Sequence, residues 1–208
     1  GCDTIYIKFE GISGHGSAPH KAKDTIHPAC MFVNDIQGIV TKNVDPLESV
    51  VLSVGKFVGG TKANIVAKYT ELDISMRYFE PQVREIVHAA IRRHAKAIAD
   101  MYELQVEVNI EPSAVALRND EVVTQIASEA AEKVFGPQRN IETRKLMGSE
   151  DMPLYLQHAP GAFALLGYQN EAKGSIYYPH HEKFNLDEDY FKYGTALHVQ
   201  FAVDFLNK

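Results

Sequence analysis

The segment TIYIKFE, residues 4–10, alternates Ile5, Ile7 and Phe9 with polar side chains. This period of two predicts a β-strand with one buried face. Outward from it, apolar spacing predicts helices over residues 26–40 and 81–101 and strands over residues 50–54, 72–78 and 104–110. The resulting order, βαββαβ, is typical of a ferredoxin-like sandwich with two helices on one face of a four-stranded antiparallel sheet. We therefore predict one module over residues 1–112.

The remaining residues, 113–208, show a different pattern. It predicts helices over residues 119–135 and 150–157, a strand over 162–166 and a last helix from Asp187 onward. The strand sequence AFALL is apolar on both faces, which is typical of a strand buried in an α/β sheet. Such a strand needs neighbouring strands, and the sequence also opens without Met. We therefore expect that an N-terminal part carrying the rest of this sheet lies outside the sequence.

Composition narrows the class of protein. The 208 residues have a net charge of −6 and are 45% hydrophobic, which indicates a globular chain with no electrostatic attraction to nucleic acid or anionic lipid. No apolar run approaches the roughly 18 residues of a membrane span. The first segment also carries charged residues where a signal peptide needs an apolar run, so we expect a cytoplasmic protein. Two cysteines, Cys2 and Cys30, form no metal or disulfide pattern, so we expect buried or reduced thiols.

Three residues of the first module have side chains suited to substrate binding. His15 lies in the Gly- and Ser-rich loop GHGSAPH, where an imidazole can donate to a developing oxyanion or bind a metal. Asn64 and Arg77 lie on the approach to one strand and along it, and an amide with a guanidinium fork suits a carboxylate. The alternatives are an exposed loop histidine without a role and a solvated sheet face.

The second part contains two further candidates. Glu150 follows the small-residue turn Met147-Gly148-Ser149, where it can serve a site or simply cap a helix. His180 and His181 are adjacent, and imidazole is a common metal ligand. A metal site needs three or four ligands, however, and no set with recognisable ligand spacing surrounds them.

Taken together, four segments resemble the metallopeptidase family M20, in particular its aminoacylase-like amidohydrolases that act on N-acyl amino acids, including hippurate and indoleacetyl-amino-acid hydrolases. The segments are the Gly14–His20 run with Asp24; Gly59-Gly60 with Asn64 and Arg77; Met147-Gly148-Ser149-Glu150-Asp151; and Pro179-His180-His181-Glu182-Lys183-Phe184 with Asp187-Glu188. They occur in the family's order and cover most of the chain.

The resemblance implies a fold class and roles. It implies an α/β metallohydrolase domain interrupted by an α+β, ferredoxin-like lid through which two subunits dimerise. Residues 1–112 would be the lid, and residues 113–208 would be the C-terminal part of the catalytic α/β domain. His15 would reach toward the partner's active site and steady the oxyanion, while Asn64 and Arg77 would hold the carboxylate of a small-molecule substrate. Glu150 would lie near the pocket. His180, four residues before Phe184 as in the family's H-x-x-x-F spacing, would be the last metal ligand, in preference to His181.

The resemblance also implies what this chain does not contain. The family's other metal ligands and its general base precede the lid, so the chain would supply one of about five ligands to a centre of two ions, Zn, Mn, Co or Ni. We therefore expect that the chain is part of a divalent-metal amidohydrolase and that the chain alone is inactive. The alternative hypothesis is a non-catalytic ferredoxin-like module for dimerisation or for binding small carboxylates.

Overall fold

A computed structural model describes residues 1–207. The chain divides into two compact units, one formed by residues 1–117 with 146–153 and the other by residues 118–145 with 154–207. A short helix, α4 (Met152–Leu156), lies where the chain passes from one unit to the other. None of the helices within residues 1–207 is long and apolar enough to cross a membrane.

The first unit has the predicted ferredoxin-like order. Its strands and helices are β1 (Cys2–Glu10), β2 (Gly14–His15), α1 (Ile26–Asn43), β3 (Val50–Gly59), β4 (Ile65–Val66), β5 (Tyr69–Tyr78), α2 (Pro81–Met101) and β6 (Gln105–Ala114). The four long strands form one antiparallel sheet in the order β3-β5-β1-β6. The prediction of a βαββαβ sandwich is confirmed.

The core of this unit lies between the sheet and its two helices. Alternation puts Ile5, Ile7 and Phe9 of β1 on the helix side, where all three are completely buried, and α1 contributes Phe32 edge-on to Phe9. Asp24 starts α1 by accepting hydrogen bonds from the first free backbone N–H groups of that helix. The sequence pattern and the capping residue therefore specify the same packed layer.

One polar cluster lies inside this apolar core. The carboxylate of Asp3 is fully buried and accepts from Arg84 Nε at 2.7 Å, Arg84 Nη2 at 3.4 Å and His88 Nε2 at 2.7 Å. The hydrogen bond to Asp3 raises the pKa of Arg84, whereas burial lowers the pKa of His88. Arg84 and His88 are four residues apart on α2, so the cluster fastens one face of that helix to β1.

A short two-stranded ladder was not predicted. The sequence predicted only a Gly- and Ser-rich loop after β1, yet β2 pairs with β4 in a separate two-stranded sheet. Gly11 makes this path possible, because its N–H donates to the carbonyl of Lys68 and a Cβ there would lie 2.1 Å from the carbonyl oxygen of Lys23. The loop is therefore ordered by pairing across the sequence, which local composition does not reveal.

The second unit is built on two helices, α3 (Glu121–Phe135) and α5 (Phe191–Leu206). Asp120 caps α3 by accepting from the N–H of Val123 at 2.9 Å, and an ion pair between Lys133 and Asp204, 2.7 Å long, links the two helices. Both predicted helices are confirmed, although a turn of 3₁₀ helix over residues 188–190 precedes α5.

The predicted strand over residues 162–166 is wrong. These residues form no strand, and Leu165 is 56% exposed. The backbone of Phe163 instead donates to and accepts from the side-chain amide of Asn119, at 2.9 and 3.1 Å. A strand needs a neighbouring strand for its hydrogen bonds, and within residues 1–207 none pairs with this segment.

Candidate functional site

His15 and Asn64 are brought together by the β2–β4 ladder. His15 pairs with Ile65, and the N–H of Gly16 donates to the carbonyl of Asn64 at 2.8 Å. A Cβ at Gly16 would lie only 3.2 Å from that carbonyl oxygen, so glycine permits this close approach. Two residues separated by 49 positions in the sequence therefore share one exposed end of the first unit.

The hydrogen bonds of His15 determine which nitrogen can act on a ligand. Its Nδ1 accepts from the backbone N–H of Ser17 at 3.1 Å and lies 2.8 Å from the Ser17 hydroxyl. A backbone N–H can only donate, so Nδ1 is unprotonated and the proton of the neutral ring is on Nε2. The exposed imidazole therefore has its N–H on Nε2, on the side of the ring that Ser17 does not occupy.

Arg77 projects from the open face of β5 and is held by two serine hydroxyls. Its Nε donates to Ser75 at 3.3 Å and its Nη1 to Ser149 at 2.9 Å. Ser149 belongs to the Met-Gly-Ser-Glu-Asp segment, and residues 146–153 are part of the same compact unit as β5. The structure thus joins two motifs that are 72 residues apart in the sequence. From the sequence, Ser149 was identified only as part of a small-residue turn and of a family-like segment.

Glu150 lies beside this contact in the chain. It is half-buried, and its carboxylate accepts from the N–H of the next residue, Asp151, at 2.8 Å. The carboxylate thus bonds to the adjacent residue ahead of α4 rather than to an N–H of that helix. Its other oxygen makes no hydrogen bond to a described residue, so one side of the carboxylate is available to a ligand.

Asn64 and Arg77 are not brought together within one chain. Arg77 is near the end of β5, whereas Asn64 lies beyond the start of that strand, next to β2. The eight residue steps from Tyr69 to Arg77 alone span roughly 27 Å. The expectation that both hold the same substrate carboxylate is therefore not met by a single chain, because following one strand does not place two side chains at the same end of it.

His180 and His181 differ in the environment of their imidazole rings. The ring of His181 stacks on Tyr177 at 4.4 Å, and its Nδ1 accepts from the N–H of Lys183 at 3.0 Å. The proton of neutral His181 is therefore on Nε2, which leaves neither nitrogen with a free lone pair for a metal. The exposed ring of His180 makes no hydrogen bond to any residue in 1–207, so of the two it fits a ligand better.

The chain does not form a metal site of its own in the part that the structure describes. Within residues 1–207, no three His, Cys, Asp or Glu side chains converge on a position where they could hold an ion. His180 is thus a single potential ligand, and a centre that used it would need the rest of its ligands from elsewhere.

Comparison with known proteins gives consistent matches. The model of Peptidase family M20/M25/M40 matches residues 8–204. Thermostable carboxypeptidase 2 of Saccharolobus solfataricus is 34% identical over 209 residues, which cover 99% of this chain and 52% of the carboxypeptidase. Hippurate hydrolase of Campylobacter jejuni is 32% identical over 207 residues, which cover 98% of this chain and 52% of the hydrolase.

A solved structure agrees with the fold. The YXEP protein of Bacillus subtilis, described as a dinuclear metal binding peptidase from the M20 family, superposes with a TM-score of 0.75 at 23% identity. The superposition covers 100% of this chain and 50% of that structure. This chain therefore spans about half the length of the relatives it matches.

Proposed function

Because the chain belongs to Peptidase family M20/M25/M40, we propose that it is part of a divalent-metal-dependent amidohydrolase. The proposed reaction is hydrolysis of the amide bond of N-acyl amino acids or small peptides. Relatives named as a carboxypeptidase and a hippurate hydrolase support a substrate with a free carboxylate next to the scissile amide. The chain alone, at about half the relatives' length, is proposed to be inactive.

The arrangement around Arg77 is the observation that most directly supports a carboxylate substrate. Ser75 and Ser149 occupy Nε and Nη1, which fixes the plane of the guanidinium while Nη2 makes no hydrogen bond to another described residue. A planar fork held in this way suits a carboxylate, which it can bind with directed, charge-assisted hydrogen bonds. Arg77 is therefore proposed as the carboxylate-binding residue.

His15 and Asn64 are proposed to act in the partner subunit of a homodimer formed through residues 1–112. They are too far along β5 from Arg77 to contact the same small substrate in one chain. In a dimer, Nε2–H of His15 would donate to the oxyanion that develops in the partner's site, and Asn64 would add its amide. This assignment replaces the expectation that Asn64 and Arg77 of one subunit act together.

A divalent metal is proposed as the cofactor, as Zn, Mn, Co or Ni in a centre of two ions, with His180 as one ligand. When bound, such ions supply an activated water as the nucleophile. The other ligands would come from outside this chain. Cys2 and Cys30 are both free thiols, which supports the further proposal of a cytoplasmic protein.

Mixed dimers of the complete protein test the shared site. His15→Ala and His180→Ala homodimers should each be nearly inactive toward an N-acyl amino acid. If His15 acts across the dimer, mixing and reassociating the two variants restores one competent site in each heterodimer, or about a quarter of wild-type activity. No restored activity would mean that His15 acts within its own subunit. A monomer in light scattering would contradict the dimer.

The role of Arg77 is tested by comparing substrates. Arg77→Ala in the complete protein should raise KM for an N-acyl amino acid by about tenfold or more, with little effect on its methyl ester. Equal effects on acid and ester would remove Arg77 from carboxylate binding. Absence of hydrolysis by the metal-loaded complete protein, together with measurable binding of small carboxylates, would favour the non-catalytic binding module.

A further inference from the structure

We propose that Asp187 is a positioning residue that closes the loop carrying His180 and thereby fixes the backbone of that histidine. The inference rests on the proposed function, in which His180 is a metal ligand. It concerns a residue that makes no contact with the ligand itself. Sequence reasoning used Asp187 only as part of a motif and as the start of the last helix.

The first step of the argument is the burial of Asp187 and its partners. Asp187 is only 4% exposed and accepts from Asn170 Nδ2 at 2.6 Å, from Lys173 Nζ at 2.6 Å and from the N–H of Asp189 at 3.2 Å. The bond from Lys173, and next that from Asn170, holds the pKa of the Asp187 carboxyl below its ordinary value. The group is therefore ionised and fully engaged near neutral pH.

The second step is where these partners lie in the chain. Asn170 and Lys173 precede His180, and Asp187 follows it, so the hydrogen bonds close a loop of which His180 occupies the middle. Reciprocal backbone hydrogen bonds between Asn170 and Ser175, both 3.0 Å long, make the first side of the loop rigid. The carboxylate thus joins a turn on one side of His180 to the start of the last helix on the other.

The third step concerns the residues next to His180. The Tyr168 hydroxyl donates to the carbonyl of Tyr177 at 3.0 Å, and the Tyr168 ring packs edge-on against Phe184 at 5.7 Å. Tyr168 therefore contacts the chain three residues before and four residues after His180. These contacts restrict the segments on both sides of His180 only while the two ends of the loop are held together. The hydrogen bonds of Asp187 hold those ends.

The fourth step is the conformation of His180. Its φ is +73°, in the left-handed region that a non-glycine residue rarely adopts. Such a conformation persists only where the surrounding structure determines it, and it is found preferentially at functional sites. Because His180 makes no side-chain hydrogen bond to another described residue, its orientation depends on the backbone of the closed loop. Opening the loop should therefore change how the imidazole is presented.

Cobalt binding by the complete protein tests the inference. The probe is Co²⁺ alone, whose visible absorption reports ligand geometry, with the dissociation constant and the thermal midpoint measured on the same samples. Asp187→Asn keeps the shape but removes the charge. We expect it to alter the Co²⁺ spectrum and to raise the dissociation constant about tenfold or more. Lys173→Met, a change at a half-exposed position, should also alter the Co²⁺ spectrum and raise the dissociation constant. It provides the test if Asp187→Asn fails to fold.

Asp189→Asn is the matched control. Asp189 also pairs with Lys173 but is 73% exposed, so its loss should leave the spectrum and the dissociation constant within about twofold of wild type. An unchanged spectrum and affinity in Asp187→Asn and in Lys173→Met, with both lost in His180→Ala, would overturn the positioning role and leave the proposed function standing. Unchanged cobalt binding in His180→Ala would overturn the ligand role and this inference with it.

Discussion

Replacing Asp3 by Asn should destabilise the first unit far more than an ordinary surface change. Asp3 is the only acceptor in the buried cluster with Arg84 and His88. The substitution keeps the size of the side chain, removes its charge and leaves the guanidinium facing a neutral amide inside the core.

The magnitude follows from the exposure of Arg84. Removing one partner of a buried ion pair typically costs about 3–5 kcal/mol. Arg84 remains 23% exposed and still donates to Glu85 at 3.0 Å, so part of its charge stays solvated and paired. We therefore expect a loss near the lower end, about 3 kcal/mol. The double variant Asp3→Asn with Arg84→Met should recover about 2 kcal/mol, because it leaves no unpaired charge.

Hydrogen exchange of α2 amides measures this loss, since it reports the opening of the unit that contains the helix. A loss of about 3 kcal/mol speeds exchange roughly a hundredfold. Asp35→Asn is the control, because Asp35 pairs with His94 on the half-exposed helix surface and should change stability by less than about 0.5 kcal/mol. An Asp3→Asn effect as small as that of the control, or strict additivity in the double variant, would refute the reasoning.

Three further predictions follow from the same unit. Because burial lowers the pKa of His88, the unfolded chain binds a proton more readily than the folded chain does, so the free energy of unfolding should fall as pH drops below about 6.5. In urea titrations, the free energy of unfolding of His88→Gln should depend less steeply on pH than that of the wild type. An equally steep dependence would contradict this prediction. Gly11→Ala places a Cβ 2.1 Å from the Lys23 carbonyl oxygen, so it should lower the free energy of unfolding by more than about 1 kcal/mol. A thermal midpoint equal to that of the wild type would contradict this prediction. Phe32→Ala removes a fully buried ring whose centroid lies 6.2 Å from that of Phe9. It should lower the free energy of unfolding by about 3–5 kcal/mol in the same urea titration, and a loss below about 1 kcal/mol would mean that the core is not packed there.

The ferredoxin-like sandwich could be predicted from the sequence because its elements carry strong local patterns. Alternation in β1 and β5 and helical spacing in α2 each describe one buried face, and short connections leave few alternative orders. The polar cluster around Asp3 could not be predicted. An acidic residue at the start of a strand is ordinarily solvent-exposed, and its partners lie more than 80 positions away.

The errors have a common physical origin in long-range pairing. The apolar run at residues 162–166 has the composition of a strand, but no described strand lies beside it. The Gly-rich run at residues 11–15 lacks that composition, yet part of it forms a strand because β4 pairs with it. The candidate residues were identified by chemistry, and their grouping depended on the register and length of strands. Asn64 lies beside His15 rather than beside Arg77 for that reason, whereas Ser149 reaches Arg77 from a segment without regular secondary structure.

The length of β5 sets the spacing between these groups in a stepwise manner. Deleting two residues from the strand would shorten the separation between the Asn64 end and Arg77 by about 7 Å and leave every side chain on its present face. Deleting one residue would turn Arg77 from the open face into the core. Insertions and deletions in this strand therefore preserve the buried face only in pairs, and each pair would change the distance between Arg77 and the end that carries His15 and Asn64.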